Sequence, residues 1–474
     1  MTALPSLMIE QLKSLRRNWI TAGCAAAVVV AGLLLRLWSL AQFPQINGDT
    51  LLYGNLATNI LLHGRFAIAD GSGVLHTTLI RLPGYPLFIA LCFWFFGIAN
   101  YAAVQYIQIA FDLFTAILVA DFVRRLTDSK PAAFITLALA ALCPFTAFYT
   151  PAPLTEIPTL FLIALALWSM QCFADAFEAQ ATSGKCWLFA LLFTFAVTSA
   201  AMLRPDGALV AIALVPALLI SAFRAIQLNH TAEQIRPAQK KLMRMVLLCA
   251  LLAALPFAAW TLRNWQRFHV FEPLAPRYAT DPGESNSPGW QRWTKTWCLD
   301  FVSTYQIYWN VPDDKIDPSQ LPERAFDSPE ERSKTLALID DYNKTQELTP
   351  EIDARFAQLA AERIEAHPLR YYLWLPLGRV ADMWLRPRVE NLPIDLDWLV
   401  YAHHNSETRI SYALAMLAYF LLRSLLLATI EAPEARYTLE CFPMLFALGG
   451  IALCRMLFGG FIIPLGRQRE GALR

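Results

Sequence analysis

Residues 84–98 read Gly84-Tyr85-Pro86-Leu87-Phe88-Ile89-Ala90-Leu91-Cys92-Phe93-Trp94-Phe95-Phe96-Gly97-Ile98. The run is apolar enough for lipid, but only about 14 residues of it are continuous, whereas a crossing needs about 20. A hydrophobic helix this short suits the membrane–water interface or a re-entrant position. Its reading fixes every helix that follows. If it crossed, Arg124 and Arg125 would be forced outside, against the tendency of short inner loops to collect Lys and Arg. Read as interfacial, it leaves Lys13, Arg16 and Arg17 on the same face as Arg124, Arg125 and Lys130. The 224–244 loop, with Arg224, Arg236, Lys240, Lys241 and Arg244, joins them, as do Arg467, Arg469 and Arg474 in the tail. Residues 41–101 then form one outer loop, and both termini are cytoplasmic.

Working outward, apolar runs of spanning length occupy 19–40, 102–123, 131–150, 156–175, 186–203, 207–223, 245–262, 408–430 and 437–459. A weaker run, 371–387, is interrupted by Arg379, Asp382 and Arg386; counting it returns the C-terminus to the cytoplasm. The expected fold is therefore an all-α polytopic membrane protein of about 10 transmembrane helices, with an interfacial helix in the first outer loop and a second, large outer loop. Three regions result: a transmembrane module over 1–262, an outer region over 263–370, and C-terminal membrane helices over 371–474. Within the outer region, Ser328-Pro329-Glu330-Glu331 predicts a helix start, and helical character runs over 329–366.

Composition agrees. Apolar residues make up 56% of the 474 and charged residues 16%, against roughly a quarter charged in soluble domains. Mean hydropathy is +0.39. A net charge of +1 gives no electrostatic footprint for nucleic acid. Of nine cysteines, all but Cys298 fall in or beside apolar runs, and no CxxC or HExxH pattern occurs, so neither a disulfide framework nor a common zinc site is implied. The first run, near 19–40, has no small-residue cleavage site after it and reads as a retained helix.

Polar residues gather at helix ends on the outer face. Asn47-Gly48-Asp49-Thr50, with Tyr53, follows the first span. Asp49 could simply cap the next helix, or serve as a general base at the membrane surface. His76 and Arg81, in His76-Thr77-Thr78-Leu79-Ile80-Arg81-Leu82-Pro83-Gly84-Tyr85-Pro86, precede the interfacial helix. Arg81 could snorkel to lipid phosphates or hold a lipid-linked phosphate bidentately. Glu156, in Pro151-Ala152-Pro153-Leu154-Thr155-Glu156, opens a span where the helix dipole favours a carboxylate. An ionisable group at a membrane helix end is also a site candidate, and Asp49 and Glu156 could share a divalent cation such as Mg or Mn. Arg204-Pro205-Asp206, Arg263-Asn264-Trp265 and Glu434-Ala435-Arg436-Tyr437 put further arginines on the outer face, where either an anionic ligand or an internal ion pair would account for them.

In order and in placement these motifs resemble the dolichyl-phosphate-mannose protein mannosyltransferase family and the related lipid A aminoarabinose transferases, which are GT-C glycosyltransferases. The resemblance covers about 20–270 well and 360–460 loosely, and 270–360 matches nothing. It implies a catalytic acid at Asp49, a second acid at Glu156, and a donor-phosphate contact at Arg81 helped by Arg204 and Arg263. Tyr53, His76, Tyr85 and Arg436 would line the substrate site. The implied reaction is inverting transfer of a sugar from an undecaprenyl- or dolichyl-type phosphate at the outer face of a bacterial inner membrane. The sequence leaves the acceptor open. Many relatives carry an acidic pair at the first site; here Gly48 precedes Asp49, which puts a metal in doubt. The competing class is a multi-pass transporter or lipid flippase. Such proteins place ionisable groups at mid-membrane and show inverted repeats, neither of which is evident.

Overall fold

The computed structural model describes residues 4–46, 48–179, 182–229, 231–284, 286–312, 314–386 and 410–458. Asn47, the 387–409 connection, Arg467, Arg469 and Arg474 lie outside the described residues, as do the side chains of Lys13, Arg16 and Arg17. In chain order, α1 (Leu4–Gln42) is followed by α2 (Asp49–His63), a hairpin of β1 (Ala67–Ala69) and β2 (Leu75–Thr77), and α3 (Gly84–Phe96). Next come α4 (Tyr101–Thr127), α5 (Lys130–Ala141), α6 (Pro144–Tyr149), α7 (Glu156–Glu178), α8 (Ser183–Leu203), α9 (Ala208–Asn229) and α10 (Ala232–Phe268). A helical unit contains α11 (Pro288–Lys295), α12 (Phe301–Gln306), α13 (Pro329–Thr345) and α14 (Pro350–Ala366). The chain closes with α15 (Leu375–Leu385), α16 (Ile410–Leu427) and α17 (Phe442–Phe458).

Eight helical segments are long and apolar enough to cross a membrane: Ala22–Gln42, Tyr101–Thr127, Lys130–Tyr149, Glu156–Glu178, Ser183–Leu203, Pro205–Gln227, Glu233–Phe268 and Ala435–Phe458. With the shorter Ser411–Leu427 they account for the nine firm spans of the sequence. The protein is an integral, multi-pass membrane protein. Because successive spans run antiparallel, the start of α4 and the end of α8 fall on one face. Both ends of α3 touch that face. A side-chain carbon on Gly84 would lie 2.5 Å from the Met202 carbonyl oxygen, so only glycine lets α3 start against the end of α8. At its other end Phe93 meets Tyr101, the first residue of α4, at 5.3 Å between ring centroids. The helix thus runs along the face, with Leu87, Leu91, Trp94 and Phe95 exposed, as the interfacial reading expects.

The weaker run, 371–387, is described as far as Arg386. It forms a wide turn, Arg370–Trp374, leading into α15, and both ends touch the 288–366 unit. Arg370 pairs with Asp327 at 2.5 Å, and the Arg386 guanidinium sits 5.0 Å from the Phe301 ring. The arginine that interrupts its hydropathy explains this docking. Arg379 is fully buried and donates to the Cys298 carbonyl at 2.8 Å and to that of Lys295. The 288–366 unit has its own core of Trp290, Trp293, Trp297, Tyr342 and Phe356. Ser328 caps α13 by accepting from the Glu331 amide at 3.1 Å, where the sequence placed a helix start.

Inside the bundle a proline forces the chief irregularity. Pro144 lacks an amide proton and cannot continue α5, so the helix breaks at Leu142–Cys143 and frees carbonyls that lipid cannot satisfy. Arg36 of α1 supplies the donors, reaching Ala141 O at 2.6 Å and Ala140 O at 3.4 Å. Its charge is balanced by Asp112 of α4 at 2.6 Å, with both side chains buried. Gly32 permits the approach, since a side-chain carbon there would fall 2.5 Å from Ala141 O. Removing one partner of a buried pair strands the other, at a cost of about 3–5 kcal/mol. Arg36→Met should therefore lower the thermal-unfolding midpoint of the purified protein markedly, and adding Asp112→Leu should recover part of the loss. An unchanged midpoint in Arg36→Met would contradict this role.

Candidate active site

Asp49 is the first residue of α2, and Arg81 returns to it from the end of the hairpin loop. Four contacts steer that return. Asn55 Oδ1 accepts from the Ala69 amide and from Asn59 Nδ2, at 2.9 and 2.7 Å. Asn59 Nδ2 also reaches Ala67 O at 2.9 Å, and Asp281 accepts from the Leu79 amide at 2.8 Å. The Arg81 guanidinium then donates to Asp49 Oδ1 at 2.9 Å, both side chains remaining partly open to solvent. Beneath them, the Arg81 charge lies 6.0 Å from the Tyr53 ring centroid, and Tyr53 packs edge-on against Tyr85 at 4.9 Å.

The Pro151-Ala152-Pro153 stretch folds under this pair. The stretch is buried, so its backbone carbonyls must be paired. Gln105 donates to Pro151 O at 2.6 Å, and Gln108 to Ala152 O at 2.7 Å and Thr150 O at 3.2 Å. Gln108 in turn accepts from the Tyr85 hydroxyl at 2.8 Å. These bonds set where α7 begins, and therefore where Glu156 lies.

Glu156 is buried and enters a cluster of charges drawn from four parts of the chain. Arg204 donates to Glu156 Oε1 at 3.1 Å and lies 3.2 Å from Asp206 and 3.3 Å from Glu440. Arg423 of α16 pairs with Glu440 at 2.7 Å and with Asp206. Arg436 pairs with Glu434 at 2.6 Å and lies 3.8 Å from Glu156. Among the described residues the cluster holds four carboxyls (Glu156, Asp206, Glu434, Glu440) and three guanidiniums (Arg204, Arg423, Arg436), one negative charge in excess if all are ionised. Glu156 Oε2 is buried with no hydrogen-bond partner.

Asp49, Arg81, Glu156 and Arg204 all act on the phenol of Tyr53. Burial pushes it up to about 12, with Arg81 opposing and Asp49 reinforcing the shift, so the hydroxyl stays protonated at neutral pH. Burial also pulls on Arg81, but its neighbours Tyr53 and Asp49 outweigh that and hold its guanidinium above the ordinary arginine value. Glu434 is driven above the usual carboxyl range by burial, against the pull of Arg436.

An apolar cavity of about 540 Å³ lies against this cluster, walled by parts of α3, α4, α7, α8 and α10. Its lining includes Gly84, Pro158 and Leu203, which stand three, two and one residue from Arg81, Glu156 and Arg204. The rest of the wall is largely Phe, Leu and small hydroxyl residues, including Phe88, Phe161, Leu191 and Thr198.

Asp49, Tyr53, Arg81, Tyr85, Glu156, Arg204 and Arg436 are thus gathered in one place. Two other candidates stand apart. Arg263 is held by the Phe66 carbonyl at 2.9 Å and boxed by the rings of Phe66, Trp260 and Phe268 at 4.9–5.5 Å. There it fastens the first loop to α10. His76 is exposed on β2 and contacts Asp70 at 2.7 Å. Asp49 and Glu156 each face an arginine, and no group of three or more His, Cys, Asp or Glu that could hold a metal ion occurs among the described residues. With each carboxylate facing a guanidinium, the two do not form a donor set for one divalent cation. The sequence reading missed Arg423 and Glu440, and noted Glu434 only beside Arg436. A signal for the first was present, since Arg423 interrupts an apolar run where an ionisable side chain needs partners.

The charge count makes a prediction. Glu156→Gln removes the excess negative charge and should leave the thermal-unfolding midpoint unchanged or higher. Arg204→Met removes the guanidinium that three carboxylates share, raises the negative excess, and should lower it. A midpoint that falls equally in both variants would refute this account of the cluster.

Residues 26–272, more than half of the chain, match the sequence profile of the dolichyl-phosphate-mannose-protein mannosyltransferase family. No curated protein sequence matches the chain. Among solved structures, ArnT from Cupriavidus metallidurans in its apo state is similar at 12% identity and a TM-score of 0.40, over 93% of this chain and 77% of that one. The same protein bound to undecaprenyl phosphate is similar at 13% identity and a TM-score of 0.41, over 92% and 78%.

Proposed function

This chain belongs to the dolichyl-phosphate-mannose-protein mannosyltransferase family, and we propose that it moves a sugar from a polyprenyl-phosphate donor to an acceptor hydroxyl at the outer face of a bacterial inner membrane. One observation carries the reading: the Asp49–Arg81 pair over the Tyr53 ring and the Glu156–Arg204 pair both stand beside the wall of one apolar cavity. A donor of this class has two incompatible halves, a hydrocarbon chain and an anionic head. The cavity of about 540 Å³ suits the first units of the chain, and the rim supplies cations for the head.

In this mechanism the donor phosphate competes with Asp49 for the Arg81 guanidinium, which can bind it bidentately. Asp49 is then free to accept the proton of the acceptor hydroxyl. That oxygen attacks the anomeric carbon from the face opposite the phosphate, the bond to the phosphate oxygen breaks, and the configuration inverts. Negative charge grows on the departing polyprenyl phosphate, where Arg81 and Arg204 stabilise it. Glu156 orients the sugar or acceptor by accepting a hydrogen bond at its unpartnered oxygen. The neutral Tyr53 hydroxyl can donate to the same groups without adding charge.

Positioned acid–base groups contribute about 10²–10⁴-fold to rate. Asp49→Asn should therefore lose sugar transfer by a factor in that range while folding normally, assayed as radiolabel passing from polyprenyl-phosphate sugars to membrane acceptors. Near-normal turnover by Asp49→Asn would remove it from the base role.

A further inference from the structure

The 369–385 segment is built the wrong way round for a helix in water. Its inward stripe, Leu375, Arg379 and Met383, is buried and includes the buried charge that docks it to the 288–366 unit. Its outward stripe, Leu369, Leu373, Leu377, Ala381 and Leu385, recurs every four residues, so one helical face is continuously apolar. That face is open: Leu369 is 68% exposed, Leu377 51% and Leu385 52%, with Tyr372 and Trp374 above 60% beside them. Scattered exposed leucines are ordinary, but a contiguous apolar face marks an interaction surface.

The fold indicates what covers it. The Trp384 indole donates to Ser424 Oγ at 3.3 Å and its ring lies 6.0 Å from Phe420. Both partners belong to the last two turns of α16, on the face where Glu434 and the site lie. The C-terminal end of the stripe is therefore level with the end of a membrane helix. Its C-terminal end continues into α12, where Arg386 rests on Phe301, and Phe301 contacts the exposed rings of Tyr305 and Trp309 at 6.3 and 5.6 Å. Leucines flanked by Tyr and Trp at the level of a helix end have the composition of a membrane–water boundary.

The geometry points to the 369–385 helix, with the α12 aromatics, as a second interfacial anchor that seats the 288–366 unit on the bilayer surface beside the site. Its partner is the headgroup and upper acyl region of lipid. The anchor stands independently of the sugar-transfer reading, because it requires only that the bundle be embedded.

The test uses the full chain in phospholipid nanodiscs, with Cys24 and Cys249, the cysteines that are not buried, replaced by serine. Nitroxide labels are placed at Leu373→Cys, Leu377→Cys and, as an exposed control on the 288–366 unit, Lys344→Cys. Labels at 373 and 377 should be relaxed by dissolved oxygen and lose the response to a water-soluble nickel chelate that the 344 label retains. A nickel response at 377 equal to that at 344 would mean the stripe faces water and would overturn the anchor. Immobilised spectra insensitive to both agents would mean that protein covers it, from this chain or a second copy, and would overturn it equally.

Discussion

A guanidinium mostly withdrawn from water at the end of a membrane helix must be surrounded by acids or be left out of the fold, and Arg204 is surrounded. Three carboxylates meet it from separate places in the chain: Glu156 at the start of α7, Asp206 in the turn before α9, and Glu440 before α17. Arg423 then bridges Asp206 and Glu440 from α16. None of these charges is tolerable alone in a medium of low dielectric. Their mutual need draws the C-terminal helices, which lie beyond the 26–272 match, onto the half of the chain that carries it. The cluster therefore joins the two halves of the bundle at the place where the chemistry is proposed.

The same rule operates deeper in the bundle. Arg36 enters because Pro144 breaks a helix and exposes carbonyls, and Asp112 follows because Arg36 is charged. Gln105 and Gln108 serve the proline-rich turn before Glu156 in the same way, with neutral donors where charge is not needed. Around the site, unsatisfied backbone groups select the polar side chains, and those side chains fix the site's geometry.

This also explains how much could be read from the sequence. Spans are a property of local composition, so nine of them, the short α3 helix and the start of α13 were legible. Asp49, Arg81, Glu156 and Arg204 were legible as candidates because polar residues at helix ends stand out against apolar runs. What could not be read was pairing. Arg263 has the same local setting as Arg204, yet it is spent on three aromatic rings and the Phe66 carbonyl. The docking of the 371–387 run was hidden for a related reason: Arg379 finds its acceptors in the 288–366 unit, a contact of some eighty positions' separation that hydropathy does not encode.

The central claim is that an anionic lipid head sits against Arg81 with its chain in the adjoining cavity. The most direct measurement is the phosphorus-31 spectrum of polyprenyl phosphate in nanodiscs containing the protein. A bound resonance distinct from that of free lipid, lost in Arg81→Gln and kept in Lys344→Gln, is the predicted result. A spectrum that is the same with and without the folded protein would contradict the account.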